Sequence, residues 1–306
     1  MYELPLSCTV LLHPDETVAS PLAGACTYAV GRTGRQLRPR MVLEASELGS
    51  ASGEDVLAAM RTVELLHVAT LLHDDVIDGS EMRRGEPSVS HRYGALAAQY
   101  SGGWMLGAAL QLVSGLGQDA ADLFAEVVGE LCAGQMLETQ HLWDTCRSQA
   151  DYERAVTGKT ASLFRLSAQL GGLVAGVEEM PLSALGQFGR SFGIAFQLAD
   201  DLGDLLADPV NTGKDHGADV RHGVYTLPVL YALETDPGLL GDKVVDTGEL
   251  DLDYVVERVL RTDAVTRVLS LCEAHLTDAT AAVQDLQVPG LLRLVDESRQ
   301  SLGALV

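Results

Sequence analysis

Residues 71–88 read LLHDDVIDGSEMRRGEPS: three aspartates within five positions, then two arginines and a glycine. The acidic half closes a run, residues 54–78, in which Val56, Leu57, Met60, Val63 and Leu66 recur at three- and four-residue steps. That period predicts one long helix, ended by the glycines and proline of GSEMRRGEP. On it Asp74 and Asp78 project from one face a turn apart, with Asp75 beside them. Carboxylates this close repel one another, and they sit where the helix macrodipole is negative. The stretch therefore calls for a positive partner. Hard oxygen donors in a compact group suit Mg²⁺, which keeps water and phosphate among its ligands.

The arrangement recurs. FQLADDLGD places Asp200, Asp201 and Asp204 with the same spacing, about 125 residues later, near the end of a predicted helix over 181–207. If the two helices pack in parallel, the clusters would face each other across a cleft and metal ions would bridge them through a polyphosphate. One acidic helix end on an acidic chain is ordinarily a solvated surface, but two with matched spacing and position are not readily explained that way. Arg35, Arg38, Arg83, Arg84, Lys159 and Lys214 all fall at predicted helix ends or loops, and His67 shares the face of Asp74 two turns earlier. A diphosphate uses both kinds of group: metal-bridged oxygens on one side, bidentate Arg and point-charge Lys on the other.

The rest of the chain sets the frame. Its 306 residues are 47% apolar but only 5% aromatic, rich in Ala, Leu and Val, which favours an all-α chain. Helical patterning runs over 21–50 (interrupted by GRTGRQLRPR), 92–114, 119–140, 151–176, 226–235 and 253–304, while DPVNTGKDHG reads as a loop. No strand alternation persists and no low-complexity linker divides the chain, so residues 1–306 read as a single domain. A net charge of −22 repels nucleic acid. No 18-residue apolar run stands out as a membrane span, and the N-terminus lacks a basic region ahead of an apolar one, so a cytoplasmic protein without signal peptide is expected. Five scattered cysteines without a C-x-x-C pair fit a reduced compartment and no structural zinc.

With these motifs the chain resembles the trans-type isoprenyl diphosphate synthases, or polyprenyl synthetases, from about residue 31 to 230. GRQLRP (34–39), ELLHVATLLHDDVIDGSEMRRGEPS (64–88), GKTASLF (158–164), GIAFQLADDLGD (193–204) and TGKDHGADV (212–220) carry the likeness. The resemblance implies an all-α, isoprenoid-synthase-type helical bundle around a deep central cavity, acting in head-to-tail prenyl transfer. It implies that Asp74, Asp78 and Asp200 ligate Mg²⁺, on the order of three ions per site with diphosphate bound, with Asp75, Asp201 and Asp204 in support. Arg83, Lys159 and Lys214 would complete allylic diphosphate binding. Arg35, Arg38, His67 and Arg84 match the isopentenyl diphosphate site, and Thr160 and Gln197 match positions that steady the carbocation or the metal-bound diphosphate. A homodimer is the family-level expectation.

The pattern also breaks. Arg35 stands for the family's usual Lys, Gln36 for an Arg, Gly103 for an Asp, and Val224 for a Lys that often touches the allylic diphosphate. Ala69 and Thr70, just before the first aspartates, are small, which resembles enzymes making geranylgeranyl (C20) or longer products, although Leu66 or Trp104 could close the cavity lower down. Two other readings stand beside the synthase. A class I terpene cyclase would have no use for the second diphosphate site of Arg35, Arg38, His67 and Arg84. A non-catalytic partner subunit of a heteromeric prenyl synthase would ordinarily have lost aspartates.

Overall fold

The structure, a computed structural model, describes residues 20–31, 34–206, 217–240 and 251–304. The order of elements is α1 (Ser20–Val30), α2 (Leu37–Ser46), α3 (Gly53–Ile77), β1 (Met82–Arg83), β2 (Glu86–Pro87), α4 (Val89–Tyr93), α5 (Ala95–Ser114) and α6 (Gln118–Gln140). There follow α7 (Gln149–Val156), a π-helical turn (Thr157–Ala161), α8 (Ser162–Val174), α9 (Glu179–Leu206), α10 (Ala218–Arg221), α11 (Leu227–Thr235), α12 (Leu252–Leu260), α13 (Ala264–Ala282) and α14 (Pro289–Gly303). Two compact units emerge, one up to Ala125 with Leu166–Leu182, the other of Glu126–Arg165 and the residues from Ser183 on.

In the first unit α3 is the central helix. Ser52 caps it, its side chain accepting the Asp55 N–H at 3.0 Å, and Glu54 and Asp55 lie at the positive end of its dipole. Leu65, Leu66 and Leu72 are buried, each burial stabilising by about 2 kcal/mol. Its main neighbour is α5, with α2 alongside. The α3–α5 approach needs a small residue: a Cβ at Gly102 would lie 2.4 Å from His73 Nε2. α3 contains an 18-residue window of mean hydropathy 1.3, enough by length and composition to cross a bilayer; 56% of that window is buried within the molecule, as befits a core helix.

In the second unit Phe164 packs against Phe192 and Phe196 with ring centroids 5.3 and 5.2 Å apart, and Phe188 stacks on Phe192. Here α6 and the π-turn meet backbone to backbone. A Cβ at Gly158 would come within 2.6 Å of the Glu130 carbonyl, and one at Gly134 within 2.2 Å of Lys159 N.

Three features depart from the sequence reading. The segment 253–304 is three helices, broken around Thr262 and Gln284. GSEMRRGEP forms a small hairpin whose two loop residues, Arg84 and Gly85, have φ of 56° and 77°, the signature of a type I′ turn. The helix over 151–176 is interrupted at TGKTA by the π-turn.

Candidate active site

In the first unit the end of α3 carries Asp74, half-buried, Asp75, 2% exposed, and Asp78, exposed as the C-cap residue. Successive helical residues are about 100° apart, so when Asp74 and Asp78 share an outer face Asp75 turns inward. There it meets Arg83 from the hairpin: Nε and Nη2 donate to Oδ1 at 2.8 and 2.5 Å. Burial pushes the Asp75 carboxyl up, and Arg83 opposes this. Arg83, expected to bind diphosphate, is here the counter-ion of an aspartate. The hairpin that brings it is held by Ser88, whose hydroxyl donates to the Ser80 carbonyl at 2.6 Å and whose N–H donates to the Glu81 carbonyl at 2.8 Å.

Two and three turns earlier on α3 lies the cluster matched to isopentenyl diphosphate. Arg38, on α2, donates from Nη1 to His67 Nε2 at 3.3 Å, which makes that nitrogen the acceptor of a neutral imidazole. Burial together with Arg38, Arg84 and Arg83 holds His67 well below its ordinary range. Arg84 lies against Gly34, and Arg35 is exposed. Glu64, 3% exposed, is the acid beneath these cations; burial raises its pKa while Arg38 and Arg84 lower it. Glu64, His67, Val68, Asp75, Arg83 and Arg84, among others, line a small pocket open to solvent. Ala69 is buried on the same helix, and Thr70 Oγ1 donates to the His67 carbonyl at 2.8 Å, an internal helix bond.

In the second unit the end of α9 carries Asp200, exposed, Asp201, 3% exposed, and Asp204, half-buried. Again the middle residue turns inward. Tyr152 OH on α7 donates to Asp201 Oδ2 at 2.5 Å, and Gln197 Nε2 donates to Oδ1 at 2.7 Å. Burial pushes the Asp201 carboxyl up to about 7, against these two hydrogen bonds. Gln197 Oε1 accepts from Thr160 Oγ1 at 2.8 Å, so the π-turn is tied to α9 through the two residues read as cation- or diphosphate-steadying. Lys159, on the same turn, pairs with Glu138 of α6. The Asp204 carbonyl accepts the Gly217 N–H at 2.9 Å, and its Oδ2 accepts the Asp219 N–H at 3.4 Å, fixing the start of α10. Burial and the neighbouring Asp204 and Asp201 push Asp219 well above the carboxylate range. Lys214 lies outside the described residues.

Sequence reading missed Glu64, Glu138, Arg147, Tyr152 and Asp219. Glu64 and Asp219 carried a local signal, as parts of the motifs at 64–88 and 212–220. Val224, in place of a lysine, donates its N–H to the Asp219 carbonyl at 2.8 Å, and the exposed Gly103 has open space above it.

Each region thus offers carboxylate oxygens at a helix end, with its middle carboxylate occupied by protein donors. Among the described residues no group of three or more acidic, histidine or cysteine side chains closes round one point. Such a donor set fits a hard divalent ion that completes its shell with water and substrate phosphate.

The polyprenyl synthetase family profile matches residues 19–248. The chain is 32% identical over 279 residues to heptaprenyl diphosphate synthase component 2 of Geobacillus stearothermophilus, covering 89% of this chain and 87% of the relative. It is 34% identical over 254 residues to nonaprenyl diphosphate synthase of Mycobacterium tuberculosis, covering 82% and 75%. Other relatives bear the names octaprenyl and geranylgeranyl diphosphate synthase. The crystal structure of a polyprenyl synthase from Caulobacter crescentus, complexed with calcium and isoprenyl diphosphate, superposes with a TM-score of 0.86 at 28% identity, covering 94% of this chain and 90% of that one. With two D-D-x-x-D helix ends of the same build and an all-α fold already in view, the chain belongs to the polyprenyl synthetase family, the trans-prenyltransferases that make isoprenyl diphosphates.

Proposed function

We propose that the protein is a Mg²⁺-dependent synthase that condenses isopentenyl diphosphate head to tail with an allylic diphosphate, giving an all-trans product of C20 or longer. The observation that carries the length is the small, buried Ala69 with Thr70 beside it, ahead of the first aspartates, where no aromatic side chain stands. Relatives named for geranylgeranyl, heptaprenyl, octaprenyl and nonaprenyl products are in keeping with it.

Asp74, Asp78 and Asp200 are the metal-holding carboxylates of this reading. When bound, the divalent ion supplies positive charge to the departing diphosphate. The chain's own part is binding and orientation. Arg38, His67, Arg84 and Arg35 hold the isopentenyl diphosphate, and His67 does so as a neutral acceptor. Lys159 leaves Glu138 for the allylic diphosphate, joined by Lys214. The allylic C–O bond breaks, the alkene of isopentenyl diphosphate supplies the electron pair for the new C–C bond, and the released diphosphate takes the proton lost from the adduct. The Thr160–Gln197 pair steadies the metal-bound diphosphate, and the aspartates do no proton transfer.

A second copy of the chain is the proposed partner. Leu96, Tyr100 and Leu110 of α5 are 67%, 68% and 47% exposed at helical spacing, with Gly103 and Gly107 open between them, a face suited to a facing helix. The word component in the name of the Geobacillus relative favours the rival, a different partner chain.

The test is product analysis. Purified protein with Mg²⁺, isopentenyl diphosphate and dimethylallyl, geranyl or farnesyl diphosphate is expected to yield a linear prenol of C20 or longer after dephosphorylation. A C15 stop would overturn the length, and a cyclic hydrocarbon would move the chain to the cyclases. No turnover until a second polypeptide is added would establish the partner-subunit reading. Light scattering on the same preparation is expected to give twice the chain mass.

A further inference from the structure

Asp201 lies in a chain of four side chains whose direction is fixed when its carboxyl is ionised. Tyr152 OH can then only donate to Asp201, because both oxygens of a carboxylate accept. The Gln197 amide nitrogen must then face the other Asp201 oxygen, which turns its carbonyl to the Thr160 hydroxyl. The series Tyr152–Asp201–Gln197–Thr160 thus links α7, the end of α9 and the π-turn, with contacts of 2.5, 2.7 and 2.8 Å.

Behind it stands Arg147, 6% exposed, its guanidinium carbon 5.4 Å from the centroid of the Tyr152 ring. Among the described residues its Nε is buried without a hydrogen-bond partner. The charges that act on it are those of Glu138, Asp201 and Asp151. A buried arginine with an unsatisfied nitrogen is a poor device for stability, since an apolar side chain of like volume would pack there at lower cost. Its presence beside Tyr152 and the acids of this region points to the region's charge and geometry.

We infer that Tyr152 and Arg147 are positioning residues of the second aspartate region, locking the Asp201 carboxylate in one orientation so that Gln197, Thr160 and the adjacent Asp200 are presented to the metal-bound diphosphate. Tyr152 sets the direction of the hydrogen-bond series. Arg147 supplies the buried positive charge that lets several carboxylates stand together before the metal arrives. The inference rests on the divalent-metal reading of this region, and neither residue touches substrate.

Three full-chain variants test it: Tyr152→Phe, Arg147→Met and Arg147→Lys. Mn²⁺ is titrated in the presence of inorganic pyrophosphate and followed by electron paramagnetic resonance, alongside thermal melting and steady-state kinetics. Loss of a supporting hydrogen bond behind a metal ligand typically weakens metal binding by about 10- to 100-fold, and Asp201, next to the proposed ligand Asp200, should act at the low end of that range. Tyr152→Phe is expected to weaken Mn²⁺ binding about tenfold and to lower kcat, with KM for isopentenyl diphosphate unchanged. Arg147→Met should act in the same direction, and Arg147→Lys should recover part of the loss. A Tyr152→Phe protein that melts lower yet binds Mn²⁺ like wild type, with kcat within about twofold, would overturn the inference. Should Arg147→Met not fold, Tyr152→Phe decides alone, since it removes one oxygen and no volume. A wild-type protein that binds no Mn²⁺ with pyrophosphate would remove the metal reading and this inference with it, whereas equal binding by wild type and Tyr152→Phe removes only the inference.

Discussion

In the first aspartate region Asp75 leans on a guanidinium; in the second Asp201 leans on a phenol and an amide. The spacing D-D-x-x-D is the same, and in both the middle carboxylate is almost wholly buried. The difference lies in charge. Arg83 cancels Asp75 within the first region, whereas Tyr152 and Gln197 order Asp201 without cancelling it. The repeated motif therefore has a repeated geometry, middle residue in and outer residues out, built on unlike electrostatics. The inward residues fix the frame, and in the proposed function the outer residues meet metal and substrate.

The largest effects should separate outer from middle positions. Asp74→Asn and Asp200→Asn are expected to lower kcat by about 10³-fold with little change in melting temperature, the scale of losing one charge-stabilising group in a transition state. Single-turnover rates check this, and equal losses from Asp75→Asn without any loss of stability would break the distinction.

Next comes the ion pair itself. Arg83→Gln leaves Asp75 buried beside its neighbours and should destabilise the fold by about 2–3 kcal/mol in urea titration, the lower end applying because Arg83 is 37% exposed. Adding Asp75→Asn to it should recover most of that, since the uncompensated charge is gone. Among the described residues the second region has no such ion pair on its middle residue to break. Its weak point is the backbone contact of α6 with the π-turn: Gly158→Ala should cost about 2 kcal/mol, because a Cβ there meets main-chain atoms. Gly102→Ala in the first region should cost less, about 1 kcal/mol, because the His73 ring can swing aside.

The smallest effect is the pH response of His67. Its folded pKa is depressed below the unfolded value of about 6.5, so below that pH the unfolded chain binds a proton that the folded one does not. Stability is therefore full above about pH 6.5 and falls as pH is lowered from there toward the folded pKa, by a fraction of the about 1.4 kcal/mol per pH unit that one proton carries. His67→Gln should flatten that part of the melting-temperature profile, and an unchanged profile would show that His67 is not held neutral.

Most of the helices were legible in the sequence because a 3.6-residue apolar period survives in α3, α5, α6 and α9. The hairpin around Arg84 was not, because two-residue strands leave no alternation to read. The π-turn looks like helix until Gly134 and Gly158 are seen in contact. The aspartates were readable from motif spacing, Thr160 and Gln197 only through the family resemblance. Their partners were not: Tyr152 lies 49 residues from Asp201, Glu138 lies 21 from Lys159, and no local pattern couples them. Arg83 and Lys159 were read as cations for substrate, and only the fold reveals that each has a carboxylate of its own.

The most direct test of this account is a crystal structure with Mn²⁺ and inorganic pyrophosphate, with the ions located by anomalous scattering. The account predicts Mn²⁺ on the carboxylates of Asp74, Asp78 and Asp200, Arg83 still on Asp75, and Tyr152 and Gln197 still on Asp201. Mn²⁺ ligated by Asp75 or Asp201, with Arg83 or Tyr152 displaced, would contradict it.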